Sequence, residues 1–386
     1  MKVRFKACCA IVICLCLSGC NGNSPQKQDI VVKINEELSE YMVSPKEASE
    51  ECKKLAGTKY NQFTLPEVIF LDENAHVYSF EAGLSTKNIV EDNDRLYEIL
   101  FDKKMDTSSI TPLTGDHIGE YSVNESDQVF LLDVQPVMLT YINHIDSVKW
   151  QVELQNANYL DGVIVDPKST DDALQAATAM FGDICGRLPK SDYSYGLEDY
   201  VKYDCLDHRI DFFRIDTMLD GVRISKHHFP NDFKYSDGSP DGVYRFSEGS
   251  QACFSMIDMN ELGAFEITVY SEPENKTEYK KILSPSYALK AISDALAADL
   301  QLDIYALELV YVGETTEIVL PKDENGKEIP SAGYVPEKGN EQKYVFHPFW
   351  ILITTSDTPT VVASNGRSAY LVDALSGDVS TYTEVK

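Results

Sequence analysis

Basic residues are scarce in this chain. Its 386 residues hold 34 Lys and Arg against 62 Asp and Glu, a formal net charge of −28. A polyanion of that size repels DNA, RNA and anionic lipid headgroups, which excludes a nucleic-acid-binding role. The acidity reads first as a solvated surface, with calcium or a basic partner protein as lesser readings. Long apolar runs are missing too. Beyond residue 20 none reaches 18 consecutive apolar positions, so no transmembrane helix is expected. Catalytic signatures are also lacking: there is no Gly-x-Ser-x-Gly elbow, P-loop or His-Glu-x-x-His,. The seven histidines are scattered. The adjacent pair His227-His228 would point to opposite faces of a strand and chelate one metal poorly. Of the nine cysteines, Cys8, Cys9, Cys14 and Cys16 fall in the first segment. Cys52, Cys185, Cys205 and Cys253 have spacings that match no zinc pattern. No catalytic residue, metal ligand or enzymatic activity is therefore expected.

What is present begins at the N-terminus. Lys2, Arg4 and Lys6 form a cationic start, and Ala7–Leu17 (ACCAIVICLCL) is apolar throughout. Eleven apolar residues fall short of the roughly 20 that span a bilayer, and fit a secretory signal. Leu17-Ser18-Gly19-Cys20 closes the run. A cysteine at that junction makes the segment a bacterial lipoprotein signal, cut before Cys20 and leaving its thiol diacylglycerol-modified. Two palmitate-like chains hold stably where one holds only reversibly. The expected location is the outer face of the bacterial cell membrane. No cofactor is expected beyond that covalent lipid. Loss of the signal makes the body more acidic still.

Apolar content of 43%, with 22 Tyr and 16 Phe, is enough for real cores, and the length suggests two or three domains. The expected layout is a signal peptide at 1–19, the lipidated Cys20 and a flexible tether over 20–40, an N-terminal α+β region over 41–160, and two further units at 161–275 and 276–386. Residues 21–28 (NGNSPQKQ) are patternless, and Asp29–Lys33 (DIVVK) is a short strand candidate. Ser44-Pro45 with Glu47 opens a helix to Leu55. Val68–Leu71 and Val77–Phe80 flank Asp72-Glu73-Asn74 and predict a hairpin. Asp94–Phe101 reads as a short helix. Val129–Val134, Val137–Ile145 and Val148–Leu154 read as strands.

Ser169 and Asp172 suggest a capping box for a helix over 170–185, with Ala173, Leu174, Ala177, Phe181 and Ile184 at helical spacing. Strands are expected at Arg209–Ile215, Val222–Ser225, Cys253–Asp258 and Phe265–Tyr270. Ser284-Pro285 opens a second helix whose apolar stripe runs to Leu300. Strands at Leu307–Val312, Tyr344–Thr354, Ala369–Ala374 and Val379–Val385 follow, with Pro321–Gln342 as an exposed excursion. A helix followed by an antiparallel sheet thus occurs twice, which predicts an α+β fold of repeated helix-on-sheet modules.

The helix Tyr287–Leu300, the strand Phe349-Trp350-Ile351-Leu352-Ile353 and the ending Tyr370-Leu371-Val372-Asp373-Ala374-Leu375-Ser376-Gly377-Asp378-Val379 resemble the PepSY fold, a small helix-plus-sheet module of bacterial exported proteins. Phe212-Phe213-Arg214-Ile215, Asp220-Gly221-Val222-Arg223-Ile224 and Met256-Ile257-Asp258 to Gly263-Ala264-Phe265 are similar to YycH- and YycI-type exported regulators. Those carry tandem modules beside a sensor kinase, with a transmembrane helix where this chain has a lipobox. The layout also resembles a group of uncharacterised clostridial surface lipoproteins. The resemblance implies PepSY-like modules and a binding or regulatory role at the outer membrane face. It supplies no catalytic residues.

Few other residues stand out. Tyr193, Tyr195, Tyr200 and Tyr203 could present aromatics to a partner or a sugar, or form an ordinary packed strand. Cys185 at a helix end and Cys205 at a strand start could form a disulfide in this compartment, or remain buried thiols. Tyr235–Gly242 and Asp323–Gly326 suit turns better than a calcium loop. Asp373 reads as the start of a turn that Gly377 completes. The leading functional reading is a membrane-anchored binding or regulatory module for a protein, peptide or cell-wall partner. The alternatives are an extracytoplasmic hydrolase working through paired carboxylates and a transporter's solute-binding lipoprotein.

Overall fold

The computed structural model describes residues 36–83, 90–113, 119–123, 129–134, 138–145, 163–165, 171–205, 207–225, 252–297, 300–315, 343–355 and 368–383. The lipobox, the tether and Asp29–Lys33 lie outside these residues, as do Val148–Leu154, His227-His228, Tyr235–Gly242 and Pro321–Gln342.

A 3₁₀ turn at Glu36–Tyr41 leads into β1 (Met42–Val43), and Ser44 then opens helix α1 (Pro45–Leu55). The Ser44 hydroxyl accepts the Glu47 N–H at 3.2 Å, and the Glu47 carboxylate accepts the Ser44 N–H at 2.8 Å. This capping box satisfies two donors that a helix start leaves unpaired. α1 buries Ala48, Ser49 and Cys52. The short strands β2 (Lys59–Tyr60) and β3 (Phe63–Thr64) pair antiparallel.

The hairpin predicted through Asp72-Glu73-Asn74 does not form. Ala75 N–H closes the turn on Asp72 O, but His76 N–H then donates to Asp220 O. The chain is thereby carried away from Val68–Leu71, which joins no described strand, and on into β4 (Val77–Gly83). After α2 (Asn93–Phe101), capped by Asp92, come β5 (Ile110–Pro112), β6 (Glu120–Val123), β7 (Val129–Val134) and β8 (Met138–Asn143). These four form an antiparallel meander. The two-residue β9 is Val163–Ile164.

Helix α3 (Asp172–Arg187) is capped by Asp171, whose carboxylate accepts from Ala173 N–H at 2.9 Å and Leu174 N–H at 3.3 Å. The cap is therefore Asp171, and the expected Ser169 lies outside the described residues. β10 (Tyr193–Cys205) and β11 (His208–Leu219) form a long hairpin, and the Asp220-Gly221 turn reverses β11 into β12 (Val222–Ile224). Gly221 sits at φ +85°, and a Cβ there would come within 3.1 Å of the Asp72 side chain, so both backbone and space require glycine,. β13 (Cys253–Ile257), β14 (Glu261–Thr268), β15 (Glu274–Tyr279) and β16 (Ile282–Leu283) follow. α4 (Pro285–Ala295) starts on Ser284 as its sequence predicts, but it ends at Ala295 and leaves Leu300 38% exposed. β17 (Leu302–Thr315), β18 (Lys343–Thr354), β19 (Ser368–Asp373) and β20 (Val379–Thr383) complete the chain.

These strands build a large mixed sheet, which overturns the expected α+β fold of repeated PepSY-like modules. The molecule is mostly β, with four α-helices among the described residues. Strands from the three expected regions pair with one another: β8 with β14, β4 with both β15 and β18, and β12 with β17. Boundaries near 160 and 275 therefore separate no independent sheets. The physical reason is edge satisfaction. A separate module would leave strand edges with unpaired backbone groups, and here strands from other regions take those edges. One side of β11 is filled by β10. The other is shared by β13 along Ile210–Arg214 and β12 at Met218–Leu219. β12 then pairs in parallel with β17.

Alternation gives the sheet two faces. On one, Phe213, Ile215, Phe254, Phe265, Ile267 and Leu139 pack against Leu174, Ala177, Phe181 and Ile184 of α3 and Leu96 and Ile99 of α2. Trp350 of β18 is fully buried, and its indole N–H donates to Leu283 O at 2.8 Å beside the start of α4. The other face carries two apolar groups, Phe212, Cys253 and Ala264, and Val310, Val312, Ile351 and Leu371 among others. Between them lies a strip of charge.

Candidate functional site

The strip centres on Arg223 of β12. The Asp220-Gly221 turn sets Arg223 opposite Met218, and the parallel pairing sets it beside Val310 of β17. Residues two positions away share that face, which brings in Asp216 and Glu308. Asp216 Oδ2 lies 2.8 Å from Arg223 Nε, and Glu308 Oε2 lies 3.2 Å from Nη1. Glu198, beside the β10 bulge between Leu197 and Tyr200, adds Oε1 at 3.7 Å from Nη1. The Phe70 ring lies over the guanidinium, with its centroid 4.7 Å from Cζ, a cation–π geometry,. Three strands thus deliver three carboxylates to a guanidinium carried by a fourth, all four groups being 17% exposed or less. Burial by itself would lower the Arg223 pKa. Asp216, Glu308 and Glu198 outweigh it and hold the group charged more firmly than usual. Glu198 and Glu308 both approach Nη1 and Asp216 approaches Nε, so all three carboxylates are directed at the guanidinium. The cluster retains more negative than positive charge beneath an exposed aromatic ring.

A second part of the strip runs across neighbouring strands, with Arg214, Cys253, Glu266 and Thr140 facing one another in register. Arg214 donates to the Tyr305 hydroxyl at 3.3 Å. Glu266 is 7% exposed, and burial pushes its pKa up to about 7. The Thr140 hydroxyl opposite is buried without a hydrogen-bond partner among the described residues.

A cleft of about 420 Å³ lies between the ends of α2 and α3, lined in part by Arg95, Lys103, Lys104 and Arg187. Its arginines are committed to the fold. Arg187 donates to Ile99 O at 2.5 Å and Leu100 O at 3.1 Å, closing the last carbonyls of α2, and Arg95 pairs with Glu98 at 2.7 Å,.

The residues singled out from the sequence fare differently. Cys20 lies outside the described residues. Of the four tyrosines, Tyr193, Tyr195 and Tyr200 turn toward the core. Tyr193 is 6% exposed and donates to Ser271 O at 3.1 Å, while Tyr195 and Tyr200 pack on the main core. The bulge between Leu197 and Tyr200 resets alternation, so Tyr200 joins the inward face of Tyr193 and Tyr195,. The Tyr203 side chain lies outside the described residues.

The disulfide expectation fails. Cys185 carries no bridge, and burial pushes its thiol up to about 12. Cys205 ends β10 and does not start a strand. Lys202 Nζ lies 2.7 Å from Asp171 Oδ2, so that end of β10 sits at the start of α3. Cys185 is most of a helix away, about 20 Å along the axis at 1.5 Å per residue, far beyond the roughly 7 Å a bridge tolerates. Asp373 makes the expected turn: its Oδ1 accepts from Leu375 N–H and Ser376 N–H, and Gly377 follows at φ +79°.

Arg223 and its acids were not singled out from the sequence. The available signal was charge inside apolar strands, as in Phe212–Leu219 (FFRIDTML), because buried charges must be paired. Among the described residues there is no group of three or more His, Cys, Asp or Glu placed to hold a metal ion. No described helix is long and apolar enough to cross a membrane.

No family model matches the chain, and no curated protein matches it. Among solved structures, an uncharacterised protein from Eubacterium rectale is similar at 12% identity and a TM-score of 0.49, covering 87% of this chain and 97% of its own.

Proposed function

We propose that this chain is a bacterial lipoprotein, held at the outer face of the cell membrane through acylated Cys20. Its acidic body would serve as a non-enzymatic binding or regulatory module for a protein or peptide partner. One observation carries the reading: Leu17-Ser18-Gly19-Cys20 stands directly after an eleven-residue apolar run and a cationic start,. The net charge of −28 and the excess of carboxylates around Arg223 favour a basic partner over an anionic one,.

The test is membrane fractionation of cells expressing the full chain or its Cys20→Ala variant, with mass spectrometry of the mature N-terminus. The expected result is a diacylglyceryl-modified Cys20 in the membrane fraction and loss of the variant from that fraction. A variant that stays membrane-bound to the same extent overturns the assignment.

A further inference from the structure

We propose that Glu67–Phe70 is a docking edge for an extended, lysine- or arginine-bearing segment of a partner protein, which adds to it as a β-strand. The inference rests on the binding-module reading and names its partner chemistry.

Val68–Leu71 has the alternation of a strand, and its burial follows suit. Ile69 and Leu71 are each 6% exposed, whereas Val68 and Phe70 are 50% and 44% exposed. Yet the segment pairs with no described strand. Glu67, Val68, Ile69 and Phe70 make no backbone hydrogen bond to any described residue. Its flanks are fixed, because Gly57 N–H donates to Pro66 O at 2.8 Å and the Ser49 hydroxyl donates to Leu71 O at 2.7 Å. Two inward apolar side chains and two anchored ends hold the segment in place before any partner arrives, so ordering it on binding costs little. Unpaired, pre-extended backbone is what strand addition uses for affinity, with alternate side chains supplying selectivity.

Charge decides which peptide fits. Glu67 is exposed, Asp72 follows it, Glu73 is already paired with Lys53 at 3.2 Å, and Glu198, Asp216 and Glu308 outnumber Arg223 beneath the Phe70 ring. A strand whose apolar residues continue the inward row of Ile69 and Leu71, and whose cationic residues lie beside Val68 and Phe70 on the side of those carboxylates, matches both features,. An acidic strand is repelled.

The probe is a fluorescein-labelled Lys-Val-Lys-Val-Lys-Val peptide titrated onto the purified full chain, followed by anisotropy and by hydrogen exchange. Three comparisons accompany it: the same peptide N-methylated at alternate residues, a Glu-for-Lys peptide, and the Val68→Pro protein. The expected result is saturable binding that weakens about tenfold or more on N-methylation, the scale of one or more lost interfacial hydrogen bonds. The Glu peptide does not bind, Val68→Pro weakens binding, and exchange slows at Val68–Phe70. Equal binding of the N-methylated peptide shows plain charge attraction and overturns strand addition. So does protection elsewhere with none at Val68–Phe70, or no saturable binding. The N-methyl comparison uses the unaltered protein and stands whatever Val68→Pro does to folding. Membrane attachment through Cys20 is read separately, so either result can fail without the other.

Discussion

Glu266 holds a carboxyl group on a buried sheet face, opposite a Thr140 hydroxyl that has no partner among the described residues. Its folded pKa of about 7 lies above the 4.5 of an ordinary glutamate, so the folded state binds this proton more tightly than the unfolded chain does. The corresponding stability is complete below pH 4.5 and is lost as pH rises through about 7,. Glu266→Gln removes the ionisation and keeps the shape. The variant is expected to match the parent near pH 4 and to exceed it at pH 8 by at most about 3 kcal/mol, since a tenfold change in proton affinity is worth about 1.36 kcal/mol. Urea unfolding at the two pH values measures the difference. A gap that is equal at both would mean that the carboxyl does not titrate with folding.

At the scale of the element, the legible parts of the chain were those whose cause is local. Ser44-Pro45 and Ser284-Pro285 place the starts of α1 and α4 because the cap, the proline and the first turn lie within four residues of one another. Ser44→Ala should cost about 1 kcal/mol, as lost caps do. Chemical denaturation reads this directly, and an unchanged midpoint would show that tertiary packing alone holds α1. Val68–Leu71 marks the limit of such reading. Alternation announces an extended segment but says nothing about a partner, and here the local turn sends the chain elsewhere. The tyrosines of β10 show a related limit. Their spacing in sequence is not their spacing across the sheet, because one bulge shifts everything after Leu197. The charges of the Arg223 cluster were visible one by one in apolar strands. Their meeting depends on the three-residue strand β12 pairing in parallel with β17, far along the chain, and no local pattern records that.

For the whole molecule, the shared sheet predicts shared unfolding. Calorimetry should show one transition for the body of the chain, since β12–β17 and β4–β18 tie the two halves together. Two resolved transitions would speak for separable modules. Arg223→Met is expected to lower stability by about 3–5 kcal/mol, because it leaves three largely buried carboxylates without their counter-charge. A loss under about 1 kcal/mol would show that the cluster is solvated. The position of β4 has a different consequence, which concerns time. Its two neighbours, β15 and β18, come from residues 274–279 and 343–346. A chain made from its N-terminus at about 5–20 residues per second must grow for tens of seconds before β4 meets either of them. Until then Val77–Gly83, an apolar strand buried in the finished sheet, is without both neighbours. A truncation that removes β18 deprives β4 of one of its flanks, so the order of synthesis, and not only the final contacts, decides how long this protein is vulnerable to aggregation.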